Sequence, residues 1–233
     1  MPPGIAKICD PDLYDLDEAI ELAKSAGAAP DFEIALVRFL QIQCQSDHVP
    51  LPTVFRGLEV LGGMMDGRAL DESRLLILFR PFLRSKDPRI VSKCVLVLGR
   101  QSNYMSWVNG VMDEKNGRIR ANLIEALWKR REPEIEVVLR GALTDPHPRV
   151  AANAVYGLYL LGIEGWVEGL ERLLGSDIAA FRISGIWVLK SSNLSDSPAR
   201  IRSFIRDADP GVRHAAFHAI KHLRDHESKE NAA

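Results

Sequence analysis

Cysteine is scarce and poorly spaced for chemistry: Cys9, Cys44 and Cys94 are the only three, and no CxxC pair occurs. An odd, scattered set of thiols fits a reducing cytosol and gives no support to a disulfide framework or a zinc knuckle. Long hydrophobic runs are lacking too. Stretches such as LLILF (75–79) and VYGLYLLGI (155–163) fall far short of the roughly 20 residues a membrane helix needs, so no membrane partner is expected. The N-terminus MPPGIAKICDPD has no basic segment followed by an apolar one, and no secretory leader is read there. Strict alternation of apolar and polar residues is missing along the whole chain, which argues against a β-sheet. HExxH, GxSxG and Walker loops are absent, and no strand precedes a Gly-rich turn.

What is present is ordinary globular material: 46% hydrophobic and 26% charged residues in a chain of 233, enough for a continuous core. The net charge of −1 is unevenly spread. Residues 1–33 hold eight acids against Lys7 and Lys24, leaving the remainder mildly basic.

The informative feature is a repeat. NGRIRANLIEAL (116–127) is echoed by HPRVAANAVYGL (147–158). The same phrase returns as DPRIVSKCVLVL (87–98), IAAFRISGIWVL (178–189) and DPGVRHAAFHAI (209–220). Its last residues, Leu98, Leu127, Leu158, Leu189 and Ile220, are 29, 31, 31 and 31 positions apart; a fixed period near thirty marks a stacked array. Four of the five phrases open on a turn or cap residue (Asp87-Pro88, Asn116-Gly117, Pro148, Asp209-Pro210), suited to a helix start, while IAAFRISGIWVL lacks the Asp-Pro. Positions four, eight, nine, eleven and twelve are apolar or small and make one buried stripe on a 3.6-residue wheel. Ala154, Gly185 and Ala216 at position eight allow a neighbouring helix close. A second amphipathic segment precedes each phrase: 72–85, 102–113, 133–145, 164–177 and 196–209. Two antiparallel helices per unit, repeated five times, predict an all-α fold, an α-solenoid.

These phrases resemble HEAT repeats of the short bacterial kind related to phycobilin lyases, whose second helix reads D-P-x-V-R-x-x-A-x-x-A-L. DPGVRHAAFHAI is similar nearly position for position, and the resemblance covers residues 72–226. It implies a superhelical array of about five HEAT-like helix pairs (72–101, 102–132, 133–163, 164–194, 195–226). A divergent helical N-terminal cap (1–71) and a polar tail (227–233) would complete it. Within the cap, a helix over 53–67 is expected to stop at Gly62-Gly63. The family's arginine matches Arg120, Arg182 and Arg213, with Val91 and Ala151 in its place elsewhere. By resemblance that arginine pairs with the turn aspartate of a neighbouring unit.

The resemblance also places the second helices on the inner, concave surface. Reading their outward positions across units gives an arginine series, Arg89, Arg118 and Arg149, and an aromatic series, Trp128, Tyr156, Tyr159 and Trp187. Glu125 is the one acid at phrase positions three, ten, thirteen and fourteen. Aromatics and arginines together suit a protein or peptide partner; the competing reading is that the aromatics pack against adjacent helices.

Other chemistry is weaker. His214, His218, His222 and His226 follow at i+4 steps, a spacing that can chelate a transition metal, yet it reads first as a polar face, and no metal or cofactor is assigned. One HEAT-like iron hydroxylase uses repeated His-Glu dipeptides, of which only His226-Glu227 occurs. HEAT-like alkylpurine DNA glycosylases use Trp, Asp and Arg in a basic groove. Trp107, Asp113, Arg149 and Trp187 invite that comparison, but Trp107 and Asp113, six apart, do not share a helical face. A pI near 6.6 argues against broad phosphate neutralisation. The expectation is therefore a cytoplasmic, non-enzymatic scaffold or adaptor that binds a protein or peptide. The alternative is a nucleic-acid-binding protein, with glycosylase or phycobilin-lyase-like chemistry further behind.

Overall fold

In the computed structural model, residues 4–26, 32–46, 48–65, 72–101, 108–128, 130–192 and 194–230 are described. Among them all regular structure is helical. The contacts divide the chain into two compact units, Met1–Ala126 and Leu127–Ala233. The first holds α1 (Ile5–Ile8), α2 (Leu16–Ala26), α3 (Phe32–Cys44), α4 (Leu51–Met65), α5 (Glu72–Leu83), α6 (Pro88–Gln101), α7 (Val108–Met112) and α8 (Gly117–Ala126). The second holds α9 (Pro133–Ala142), α10 (Pro148–Leu161), α11 (Trp166–Leu174), α12 (Ala179–Ser192), α13 (Ser197–Ser203) and α14 (Pro210–Glu230), with a 3-10 turn at Phe204–Arg206 after α13.

In each unit the second helices lie side by side in chain order. α4 packs on α2, α6 on α4 and α8 on α6; α12 packs on α10 and α14 on α12. The first helices form the other layer: α5 packs on α6 and α7 on α8, while α9, α11 and α13 lie against α10, α12 and α14. This serial two-layer packing is an all-α solenoid. The helices of the N-terminal segment follow the same order, α1 against α2 and α3 against α4.

The buried stripe falls where the periodicity puts it. Ile90, Cys94, Val95, Val97 and Leu98 are buried in α6, and Val150, Ala154, Val155, Gly157 and Leu158 in α10. Small residues at position eight are needed for contact. A Cβ added to Gly185 would lie 2.7 Å from Leu174 Cδ2 and 3.2 Å from Leu173 Cβ, so α11 reaches α12 only because no side chain stands there. Phe181, at position four in α12, is only half-buried, and one position is left exposed. Position nine is Phe217 in the last unit and is 61% exposed, where Ile186 one unit earlier is 1% exposed. That position is covered by the following second helix, and none follows α14 among the described residues.

A second correction concerns α4, which runs through Gly62-Gly63 to Met65 instead of stopping there. A Cβ on Gly63 would sit 2.5 Å from Ile20 Cδ1. The glycine admits α2, and the packing gained outweighs the roughly 1 kcal/mol that glycine costs a helix. Glycine ends a helix at Gly162 instead, where φ is +67° and the Ile163 N–H donates to the Leu158 carbonyl at 2.9 Å. That left-handed terminator is open to glycine at no steric cost.

The turns within each pair are held by side-chain oxygens. Residues 85, 114, 145, 176 and 207 follow the repeat period, and each accepts the backbone N–H two residues on. The distances are 3.2 Å for Ser85 Oγ, 2.7 Å for Asp145 Oδ1, 3.2 Å for Ser176 Oγ and 2.8 Å for Asp207 Oδ1, with a longer 3.5 Å contact at Glu114. Asp87, Asn116 and Asp209 repeat the pattern one step later, at 2.8, 3.0 and 2.8 Å. Proline then opens the next helix at Pro88, Pro148 and Pro210, where its missing N–H has no helical partner.

The repeat arginines lock these turns from the other side. Arg120 Nη1 donates to the carbonyls of Glu114 and Lys115, at 2.6 and 3.2 Å. Arg182 Nη1 reaches Ser176 and Asp177 at 2.8 and 3.1 Å, and Arg213 Nη1 reaches Asp207 and Ala208 at 2.9 Å each. Arg182 also makes the inter-unit pair that the resemblance implies: Nη2 to Asp207 Oδ1 at 2.8 Å and Nε to Oδ2 at 2.9 Å. Both side chains are largely buried.

This pair sets a pH dependence. The Arg182 guanidinium, helped by the Asp209 N–H, holds the Asp207 carboxyl below its usual range. A depressed folded-state pKa contributes stability above the unfolded value and loses it as pH falls through the folded value. Urea denaturation at neutral and acid pH should therefore show Asp207→Asn less stable than wild type at pH 7, and less sensitive to acid below about pH 4. Equal acid sensitivity in the two proteins would show that the pair carries no linkage.

Candidate functional site

The aromatic residues singled out by the repeat register meet in the second unit. Tyr156 on α10 and Trp187 on α12 stand at the same outward position of their repeats, with Tyr159 one turn further along α10. Trp128 follows the last residue of α8 by two and stands in a turn, not on the second helix that the register gave it. The rings nevertheless form one connected set. Trp128 meets Tyr156 edge-on at 5.0 Å between centroids and stacks on Trp187 at 6.2 Å. Tyr156 meets Trp187 edge-on at 5.4 Å and stacks on Tyr159 at 6.0 Å. Trp166, at the start of α11, extends the set by an edge-on contact with Tyr159 at 5.2 Å. The repeat register missed Trp166 because it belongs to a first helix; its place just after the α10 terminator is the signal that would have found it.

All five rings are half-buried, and the polar atoms of Trp128, Tyr156 and Tyr159 point inward. The Trp128 indole N–H donates to the Asn153 carbonyl at 2.9 Å. The Tyr156 and Tyr159 hydroxyls donate to the Ser191 and Ser192 carbonyls at 3.3 and 2.9 Å. These are last-turn carbonyls of α12, which have no intrahelical donor. Burial, and then Tyr159 alongside, push the Tyr156 phenol above its ordinary range. The aromatics therefore bind the neighbouring helix and still present ring surface outward. Asn153 can receive the indole because Gly157, one turn on, leaves space: an added Cβ would stand 3.0 Å from Trp128 Cδ1.

The row runs into a cleft of about 430 Å³ between α12 and α14. Ile183, Ile186, Ala215 and Ala219 form its floor, with Trp187 at one wall. Lys190, Lys221, His218 and His222 ring it with a single acid, Asp225. Among the described residues, no carboxylate partner appears for Lys190 or Lys221, so the rim has cationic charge to spare.

The arginine series is placed differently. Arg89 is exposed, but its guanidinium is held by Asp87 of its own turn, Nη2 to Oδ2 at 2.7 Å and Nε to Oδ1 at 3.0 Å. Arg118 is exposed beside the Asn116 turn, and both belong to the first unit. Arg149 is exposed on the first turn of α10 in the second unit. Trp107 and the His226 and Glu227 side chains lie outside the described residues. The thiols are held neutral: burial pushes Cys9 up to about 12 and Cys94 well above its ordinary value. Cys44 is raised by burial and by Asp87.

Among known families, HEAT repeats match residues 105–190, a span that takes in Trp128, Tyr156, Tyr159 and Trp187. No curated protein matches the chain.

The Gly157 contact makes a direct test of the row. Gly157→Ala should lower stability by about 1 kcal/mol, overpacking against Trp128 and Leu139 exceeding the helical gain, and should shift tryptophan fluorescence. Gly141→Ala, on an open part of α9, should instead raise stability by about 0.5–1 kcal/mol and leave the fluorescence unchanged.

Proposed function

Because the chain carries HEAT repeats across residues 105–190, we propose that it is a non-enzymatic adaptor. Its second-helix face would hold a protein or peptide segment. The observation that carries this reading is the half-buried aromatic row, in which the Trp128 N–H and the Tyr156 and Tyr159 O–H groups are already satisfied inside the protein. Ring surface left outward by side chains that need no further hydrogen bond is suited to apolar contact, with little entropy to lose on binding. The adjoining cleft adds an apolar floor and the cations Lys190 and Lys221. The ligand that fits is a segment with an apolar or aromatic anchor followed by a carboxylate, and the exposed Arg149 adds a further positive charge on α10 of the same unit. Affinity comes from a surface already in place, because the tyrosines are fixed to α12 before any ligand arrives.

HEAT repeats commonly mediate protein contacts, which agrees with this reading and leaves the partner's identity to experiment. Nucleic acid is the competitor, and salt separates the two. Neutralising six or more phosphates costs about a thousandfold or more in affinity between 50 and 200 mM salt, whereas aromatic anchoring is weakly screened. Using the partner captured from the source cell, a Trp187→Ala/Tyr156→Ala double variant with an unchanged helical spectrum should bind about 30-fold more weakly or worse. Arg149→Glu should weaken binding to a lesser degree. Full affinity in the folded double variant, or a steep salt dependence, would remove the proposal.

A further inference from the structure

We propose that His214 and His218 form a two-imidazole site for a divalent transition metal of tetragonal preference, Cu²⁺ or Ni²⁺. The two residues are one turn apart on α14 and project from the same face. Their rings do more than share a face. Nε2 of His214 and Nε2 of His218 converge to 2.9 Å, with ring centroids 4.2 Å apart and planes inclined by 54°. Without metal, one Nε2–H donates to the other Nε2. An ion bonded to both lies about 1.5 Å to one side of the line between the nitrogens, and each ring then carries its single proton on Nδ1.

The separation selects the geometry. With metal–nitrogen bonds of about 2.0–2.1 Å, two nitrogens 2.9 Å apart subtend about 90° at the ion. A tetrahedral ion with the same bonds requires about 3.3 Å between them. The pair thus matches adjacent corners of a square-planar or tetragonal ion and sits too close for tetrahedral zinc.

The support beneath the pair is rigid. Val212, Ala216, Ala219 and Leu223 bury the opposite face of α14, and the edge of Phe217 meets the His218 ring at 5.8 Å and 89°. Both imidazoles are exposed, so an ion reaches them without a buried charge being created. Among the described residues no third His, Cys, Asp or Glu closes on the pair. The remaining coordination positions go to water or to a donor from outside. His218 also lines the α12–α14 cleft, so an ion held here offers its open positions at the cleft rim. The site stands whether or not the cleft binds a peptide.

Tag-free full-length protein titrated with CuCl₂, NiCl₂ and ZnCl₂ in a calorimeter tests the site. One Cu²⁺ per chain should bind, more tightly than Zn²⁺, and its electron paramagnetic resonance spectrum should be tetragonal with two equatorial nitrogens. His214→Ala and His218→Ala should each weaken binding by about tenfold or more, while His222→Ala should leave it within about twofold. These are exposed positions, so each variant should keep the wild-type helical spectrum. Binding that survives both single variants is adventitious and overturns the proposal. Zinc bound as tightly as copper overturns the tetragonal assignment.

Discussion

The turn between the two helices of a pair is the constraint on which the rest of the structure depends. Two helices joined by so short a link pack antiparallel only if the link has one conformation. Here a side-chain oxygen fixes it, taking the N–H two residues on at Ser85, Asp145, Ser176 and Asp207. Such local bonds compete with helix and so end it where they form. At three of these turns a proline, Pro88, Pro148 or Pro210, starts the next helix. Where the repeat arginine is present, it ties down the turn carbonyls that the first helix leaves unsatisfied. The register of every outward side chain follows from these few bonds.

Successive units are joined in two different ways. Between α12 and α14 the clamp is ionic, Arg182 to Asp207. Between α10 and α12 the corresponding residue is Ala151, buried and without charge, so that clamp cannot form. There the tyrosines act instead, from the opposite ends of the helices, with Tyr156 and Tyr159 on the last carbonyls of α12. The aromatic row is thus a structural joint as well as a surface.

The fold was legible because its signal is redundant. Five phrases with the same apolar spacing outvote any single exception, and the buried positions of α6 and α10 agree with the wheel throughout. The misreadings share a cause: each depends on a neighbour that a single helical wheel does not contain. Gly62-Gly63 looks like a stop until Ile20 is placed against Gly63. Phe217 looks buried, yet no second helix follows α14 among the described residues to cover it. The site was partly legible for the same reason. Register brought Tyr156, Tyr159 and Trp187 to one face, but Trp166 came from the other layer, and the inward hydrogen bonds depend on the next unit's carbonyls. The convergence of His214 and His218 was visible as spacing and invisible as distance.

The two kinds of joint explain why the cleft lies where it does. An interface held by Arg182 and Asp207 at the turn end needs no side-chain clamp at the other end. The outward residues of α12 and α14 there, Lys190 and Lys221, are released from structural duty and line an open cleft. One repeat earlier the place of Lys190 is taken by Tyr159, which with Tyr156 is fastened to the neighbour, and the groove between helices is filled by rings. Moving the joint from charge to aromatic contact therefore sets a closed, apolar surface directly beside an open, cationic one. A ligand spanning both would meet a hydrophobic anchor site and a charge site a single repeat apart, with their spacing set by the repeat itself.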